Sequence, residues 1–232
     1  KPTVDYRGFR FSRLREPRFS HLLLLLGWVG YFILYFLTEN LIPPERCTPI
    51  HCWLDDAIPF CEYFAVAYTI WYLLVFGSLL YFLLYDTESF RRLQIYIIIT
   101  QAVAMVFYIL LPSRQDLRPE EFVRTNFFTR VMAFIYDFDT NTGVCPSLHA
   151  AYSLGIASVW GKKADAPVWW KGIVFFLVVM ICASVCFVKQ HSALDVLAAL
   201  PLGLLAEILV YGKSYWLPRF RASRDPDTSH TA

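Results

Sequence analysis

Two histidines, each at the end of an apolar run, carry the strongest chemical signal in the sequence. His149 stands in Cys145-Pro146-Ser147-Leu148-His149, and His191 in Lys189-Gln190-His191-Ser192-Ala193-Leu194-Asp195. An ionisable side chain at the mouth of a membrane helix is costly to desolvate, so its presence there points to function. Asp195, one helical turn after His191, shares its face. Its carboxylate can accept one imidazole N–H and leave the other nitrogen free to attack phosphorus. His149 supplies a general acid. Ser147, Leu148 and the backbone N–H groups that open the same helix form a cradle for a phosphate. Arg114, Arg118 and Lys189 are the local cations for charge that develops on the phosphoryl oxygens. This chemistry asks for no cofactor. No further His or Cys cluster stands at metal-ligand spacing, and Asp137-Phe138-Asp139 reads as a solvated loop. Cys145 has no base placed beside it and reads as a bystander.

The elements that must position these groups are membrane helices. The chain is 57% hydrophobic, 18% aromatic and 17% charged, with a mean hydropathy of +0.45. A soluble domain is typically about 45–50% apolar. At 232 residues the chain holds about six spans of roughly 20 residues and no second soluble domain. No nucleic-acid partner is expected; the partners are lipids.

The expected architecture is all-α: six spans with an interfacial helix between the third and fourth. The first runs from Leu22 through Leu37 to Leu41-Ile42 and is stopped by Pro43-Pro44. Tyr63–Tyr85 and Leu93–Leu111 are the second and third, joined by a tight turn over 86–92. The fourth starts at Pro146 and runs to Trp160, the fifth is Val168–Val188 and the sixth is about Ser192–Tyr211. Pro119-Glu120-Glu121 reads as a helix start, with proline and acids in the first turn. Val123, Phe127, Val131 and Phe138 follow at near-helical spacing, which predicts an amphipathic helix at the membrane surface. Residues 1–18 form a basic lead-in, 19–212 the six-helix catalytic domain and 213–232 a basic tail, disordered at its end. Cys47 and Cys52 share a loop that a disulfide can close, whereas Cys182 and Cys186 read as core residues.

Alternating spans put both termini and the 86–92 and 161–171 turns on one face, which gathers most of the 21 Lys and Arg residues. The opposite face holds Arg46, Arg114, Arg118, Arg124, Arg130 and Lys189. The positive-inside rule makes the richer face cytoplasmic and leaves both histidine motifs extracytoplasmic.

Pro146-Ser147-Leu148-His149, then Ser184, His191 and Asp195, preceded by Arg118-Pro119, resemble the three-part signature of the type 2 phosphatidic acid phosphatase superfamily. These are lipid phosphatases and lipid phosphotransferases built on a six-helix membrane core. The resemblance covers roughly residues 90–210. It implies His191 as nucleophile, His149 as general acid, Asp195 as the orienting carboxylate and no metal. Leu111 stands where the family's first motif has Lys, and Val185 where its third has Arg, so phosphate binding falls to Arg114, Arg118 and Lys189. The Leu148 form is similar to the branch that includes inositol-phosphoceramide synthases. The short chain is similar to simple bacterial phosphatases and implies a plasma membrane of bacterial type. The expected activity is hydrolysis of a lipid phosphate, phosphatidate-like or polyprenyl-phosphate-like. Transfer of a phospho-headgroup between lipids is the alternative. A non-catalytic lipid-binding or lipid-translocating protein on the same frame is the reading from another class, and binding alone would not require the His-His-Asp set.

Overall fold

A computed structural model describes residues 2–224. In chain order, a 3-10 stretch over Ser20–Leu25 leads into α1 (Leu26–Leu41). A loop carrying β1 (Thr48–Pro49) and α2 (Trp53–Ala57) follows, and then α3 (Ala65–Tyr85) and α4 (Thr87–Leu110). β2 (Ser113–Arg114) pairs in parallel with β1, tying the two long loops together. Next come α5 (Phe127–Phe138), α6 (Leu148–Lys162), α7 (Val168–Phe187) and α8 (Ala193–Tyr211), with a π turn (Gly212–Trp216) and α9 (Leu217–Arg224) at the end.

The protein is all-α. Among the described residues, five helical runs are long and apolar enough to cross a membrane: Ser20–Leu41, Glu62–Tyr85, Thr87–Leu110, Val168–Phe187 and Ala193–Ser223. The helix bearing His149, α6, is not among them. Its 15 residues rise about 22 Å, at about 1.5 Å each, against a hydrocarbon core of about 30 Å. Position compensates for length, because α6 packs against α3, α4, α7 and α8 and is the hub of the bundle. Close approach requires small residues there: a Cβ added at Gly155 would lie 2.6 Å from the Tyr96 ring. By contrast α1 is the most loosely held of the long apolar runs, packing mainly on α4.

Several boundaries differ from expectation, each for a local reason. The third run starts at Thr87 rather than Leu93, because Asp86 caps it by accepting from the Ser89 N–H at 3.0 Å. Residues 87–92 are therefore helix, not turn. The amphipathic helix starts at Phe127, not near Pro119. Asn126 and Thr129 form a reciprocal capping box (3.0 and 2.9 Å) that fixes the start there and leaves Val123 exposed in irregular chain. Cys47 and Cys52 are both free. The Cys47 thiol points at the Pro43 carbonyl, while the Cys52 side chain caps α2. Residues 213–224 of the expected tail are helical, and the disorder expected at its end lies outside the described residues, at 225–232.

Candidate active site

The turn between α7 and α8 sets His191. The N–H groups of Gln190 and His191 both donate to the Val185 carbonyl (2.9 and 3.0 Å), and Lys189 takes a left-handed backbone (φ 55°) to close the turn. Ser192 then caps α8. Reaching back to the Ser192 N–H at 2.9 Å, the Asp195 carboxylate completes a capping box. The same oxygen lies 3.3 Å from His191 Nδ1. One cap therefore fixes the carboxylate and, through it, the imidazole. Asp55 in α2 braces this start from outside, accepting from Ser192 Oγ (2.6 Å), the Ala193 N–H (2.8 Å) and the Cys52 N–H (2.8 Å). Burial pushes the Asp55 carboxyl up, but these hydrogen bonds outweigh it and hold the group below the usual carboxylate range.

His149 occupies the first turn of α6. Ser147, fully buried, caps that helix and donates its own N–H to the Asp195 carbonyl at 3.0 Å, stitching the two helix starts together. His149 Nδ1 then lies 3.3 Å from His191 Nε2. With Asp195 taking the Nδ1–H of His191, its Nε2 is the acceptor and His149 Nδ1 the donor. The Trp71 ring lies 4.2 Å and the Tyr68 ring 4.9 Å from the His149 ring, and the Trp71 indole N–H donates to the His149 carbonyl at 3.1 Å. His149 Nε2 and Asp195 Oδ1 find no partner among the described residues. Burial and the neighbouring Asp195 carboxylate push the Cys145 thiol up to about 12, so little thiolate exists near neutrality.

The three expected cations are placed differently from one another. Lys189 is buried and donates to the carbonyls of Asp55 (2.7 Å) and Ile58 (2.6 Å), turned into the α2 loop and away from the histidines. Arg114 bonds Asp116 (2.9 Å) and the Pro44 carbonyl (2.7 Å) at the loop surface. Arg118 spans the carbonyls of Tyr136, Asp139 and Thr140 and reaches the Gln190 side chain, with its guanidinium 4.6 Å from the Tyr136 ring centre. Arg118 alone approaches the histidine pair, and it does so through Gln190.

Asp139 corrects the reading of its stretch as a solvated loop. Its carboxylate accepts from the Tyr35 hydroxyl (3.1 Å), the Tyr68 hydroxyl (3.4 Å) and the Gln190 amide (3.3 Å). Burial raises this carboxyl above its ordinary value, while His191, Tyr35, Arg118 and Tyr68 pull it back only in part. Nothing in the local spacing announces this. The partners come from segments distant in sequence, and Asp139 meets them because α5 ends there.

A cavity of ≈ 190 Å³ opens at the histidine pair. Its walls include Trp28, Tyr31 and Tyr35 of α1, Trp71 and Tyr72 of α3, and Leu148, His149 and Tyr152 of α6, with Asp139, Gln190 and His191 at the head. A second groove, ≈ 350 Å³, shares Trp28, Phe32 and Phe76 with it and runs on between α1 and α3 to Leu83 and Phe90. No group of three His, Cys, Asp or Glu able to hold a metal occurs among the described residues. Comparisons with family models, with curated proteins and with solved structures return no match for this chain.

Proposed function

We propose that the chain is a membrane enzyme that cleaves a phosphate ester of a lipid through a phosphohistidine on His191. The observation that carries this reading is the Asp195–His191–His149 relay, with both contacts at 3.3 Å, at the head of an aromatic cavity that continues as an apolar groove. Asp195 holds the His191 Nδ1–H, so the Nε2 lone pair forms the N–P bond as the bond from phosphorus to the lipid oxygen breaks. His149, carrying both ring protons in this step, gives one to the leaving alkoxide and becomes neutral. An acceptor hydroxyl then attacks phosphorus, returning its proton to His149, and His191 is released. Reacting atoms must lie about 3–3.5 Å apart, so phosphorus entering beside Nε2 parts the two imidazoles. The α1–α3 groove takes the lipid chain, and the loose packing of α1 supports entry from the side.

Hydrolysis is the first reading, because water needs no pocket of its own. Transfer to a lipid alcohol is the second, favoured by cavity walls that carry no Lys or Arg among the described residues, an environment better matched to a diester than to a phosphomonoester dianion. In the membrane α6 completes the set of six spans as the fourth in chain order, both termini are cytoplasmic, and the site faces outward, in accord with the distribution of Lys and Arg.

The test is purified protein with a panel of lipid phosphomonoesters and phosphodiesters. Released phosphate and new lipids are scored, and a base-stable, acid-labile adduct on His191 is sought after rapid quenching. Turnover without such an adduct, or no turnover on any member, overturns the reading. Activity is expected to persist in a chelator, and loss in EDTA that magnesium restores would overturn the metal-independent chemistry.

A further inference from the structure

The cavity at the histidine pair has a composition that a bare phosphate does not explain. Asp139 is the only Asp, Glu, Lys or Arg on its described walls, and it makes no salt bridge among the described residues. Its neighbours on the wall are the rings of Trp28, Tyr31, Tyr35, Trp71 and Tyr72. A phosphoryl group brings negative charge, and a carboxylate beside it is unfavourable unless the ligand also brings a positive one. Ring faces and a carboxylate together attract cations.

We propose that Asp139 and the rings of Tyr31, Tyr35, Trp71 and Tyr72 form a subsite for the quaternary ammonium of a phosphodiester lipid headgroup, which rests on the reading of His191 as a phosphorus nucleophile. A quaternary rather than a primary ammonium fits, because –NH3+ presents three donors that each need an acceptor. The Asp139 oxygens already accept from Tyr35, Tyr68 and Gln190. A methylated nitrogen has no N–H to satisfy and gains from ring faces alone. In this arrangement the His191 Nε2–P bond forms as the bond from phosphorus to the lipid-backbone oxygen breaks, and a proton passes from His149 to that oxygen. The phospho-ammonium group stays on His191 with its cation beside Asp139. A hydroxyl acceptor then takes the headgroup and returns a proton to His149.

The experiment uses the full-length His191→Ala protein in detergent, so that binding is read without turnover. Quenching of tryptophan fluorescence is titrated with short-chain phosphatidylcholine, with phosphatidylglycerol and phosphatidic acid of the same chains, and with free phosphocholine. Phosphatidylcholine is expected to bind about tenfold more tightly than phosphatidylglycerol, the scale of a desolvated cation–π and charge contact. Asp139→Asn in the same background should abolish that preference and Asp139→Glu should retain most of it, which separates charge from folding. Equal binding of the two diesters, tightest binding of phosphatidic acid, or a preference that survives Asp139→Asn overturns the proposal. Free phosphocholine binding as tightly as the lipid overturns its lipid part. Adduct formation on the wild-type protein is scored in parallel. An adduct from phosphatidic acid but none from phosphatidylcholine sinks the subsite and leaves the nucleophile standing. A choline preference with no adduct from any lipid sinks the nucleophile and leaves the subsite.

Discussion

Two ends of the molecule use the same ingredients to different ends. At the C-terminal end of α6, Lys162 bonds Glu207 at 2.6 Å, and its ammonium lies 4.3, 5.0 and 5.2 Å from the ring centres of Tyr211, Tyr215 and Trp216. Glu207 also takes hydrogen bonds from Ser158 and the Trp216 indole, both at 2.6 Å. Beside it Lys163 bonds Asp86 (3.0 Å) and Asp165 (2.9 Å). Cation, carboxylate and aromatic rings are all supplied by the chain, and every charge is matched. At the N-terminal end of the same helix, rings and a carboxylate surround the histidine pair, but the walls supply no Lys or Arg among the described residues. Asp195 Oδ1, His149 Nε2 and Arg118 Nε have no partner among the described residues, whereas at the other end the Tyr211 hydroxyl and the Trp170 indole N–H, which also lack one, are uncharged. Matched charges hold a fold together, whereas ionisable groups kept unmatched in an apolar bundle cost stability and mark where a ligand is handled.

The sharpest way to break this contrast is to remove a histidine at one end and a lysine at the other. His191→Ala deletes the proposed nucleophile, and turnover should fall by at least about 10³-fold with no covalent adduct. Lys162→Met should leave turnover per folded molecule within about twofold, since it lies beyond any contact with the cavity. Comparable activity losses in both variants would erase the distinction between ends.

His149→Ala should be less severe, about 10²–10⁴-fold, on a lipid with a poor leaving group. An activated ester that needs no protonation should restore most of that loss and none of the loss in His191→Ala. Equal rescue of both would mean that the two imidazoles do not divide the work as acid and nucleophile.

Much of the geometry at the histidine end was legible in the residues alone. The apolar runs, the helix starts at the two motifs and the one-turn spacing of His191 and Asp195 are local features, and locality is what a sequence displays. Orientation was not legible. Lys189 directly precedes Gln190, yet its left-handed backbone turns the ammonium into the α2 loop, away from the phosphate side expected for it. Asp55 braces α8 and Asp139 faces the cavity through partners far away in the chain, so no spacing rule could reveal them. The start expected at Pro119 failed because a stronger cap lay a few residues on, at Asn126.

At the matched end the expected effect of breaking the pair is on stability. Lys162→Met leaves Glu207 largely buried with only Ser158 and Trp216 as donors, which should cost about 1–3 kcal/mol. For a chain of this length that lowers the melting midpoint by several degrees, at about 2–4 °C per kcal/mol. An unchanged midpoint would show that the cluster is ornamental to the fold.

The smallest expected effect is the most specific, because the two ends should answer pH with opposite sign. Burial pushes the Asp86 carboxyl up, but hydrogen bonds from Ser89 and the Lys163 ammonium outweigh it and hold the group low. Asp86 therefore adds stability above its unfolded value of about 3.9, and that contribution is lost as pH falls through the lower folded value. Asp139 is raised by burial and faced by Tyr35 and Glu39 of α1, Tyr68 and Tyr72 of α3, Arg118, Gln190 and His191. Its folded form holds a proton more tightly than the unfolded chain does, so its cost appears as pH rises from about 3.9 through the folded value and persists at neutrality. Asn at position 86 keeps the helix cap while removing the charge, and Asp86→Asn should lower the midpoint near pH 7. Asp139→Asn should raise it by about a degree or two, a difference that closes as pH falls toward 4, whereas the Asp86→Asn deficit is still present at pH 4 and closes only below it. Melting curves of the two variants between pH 4 and 8 decide the matter. Shifts in the same direction at neutral pH would mean that Asp139, like Asp86, is a structural charge, and the contrast between the two ends of α6 would fall with it.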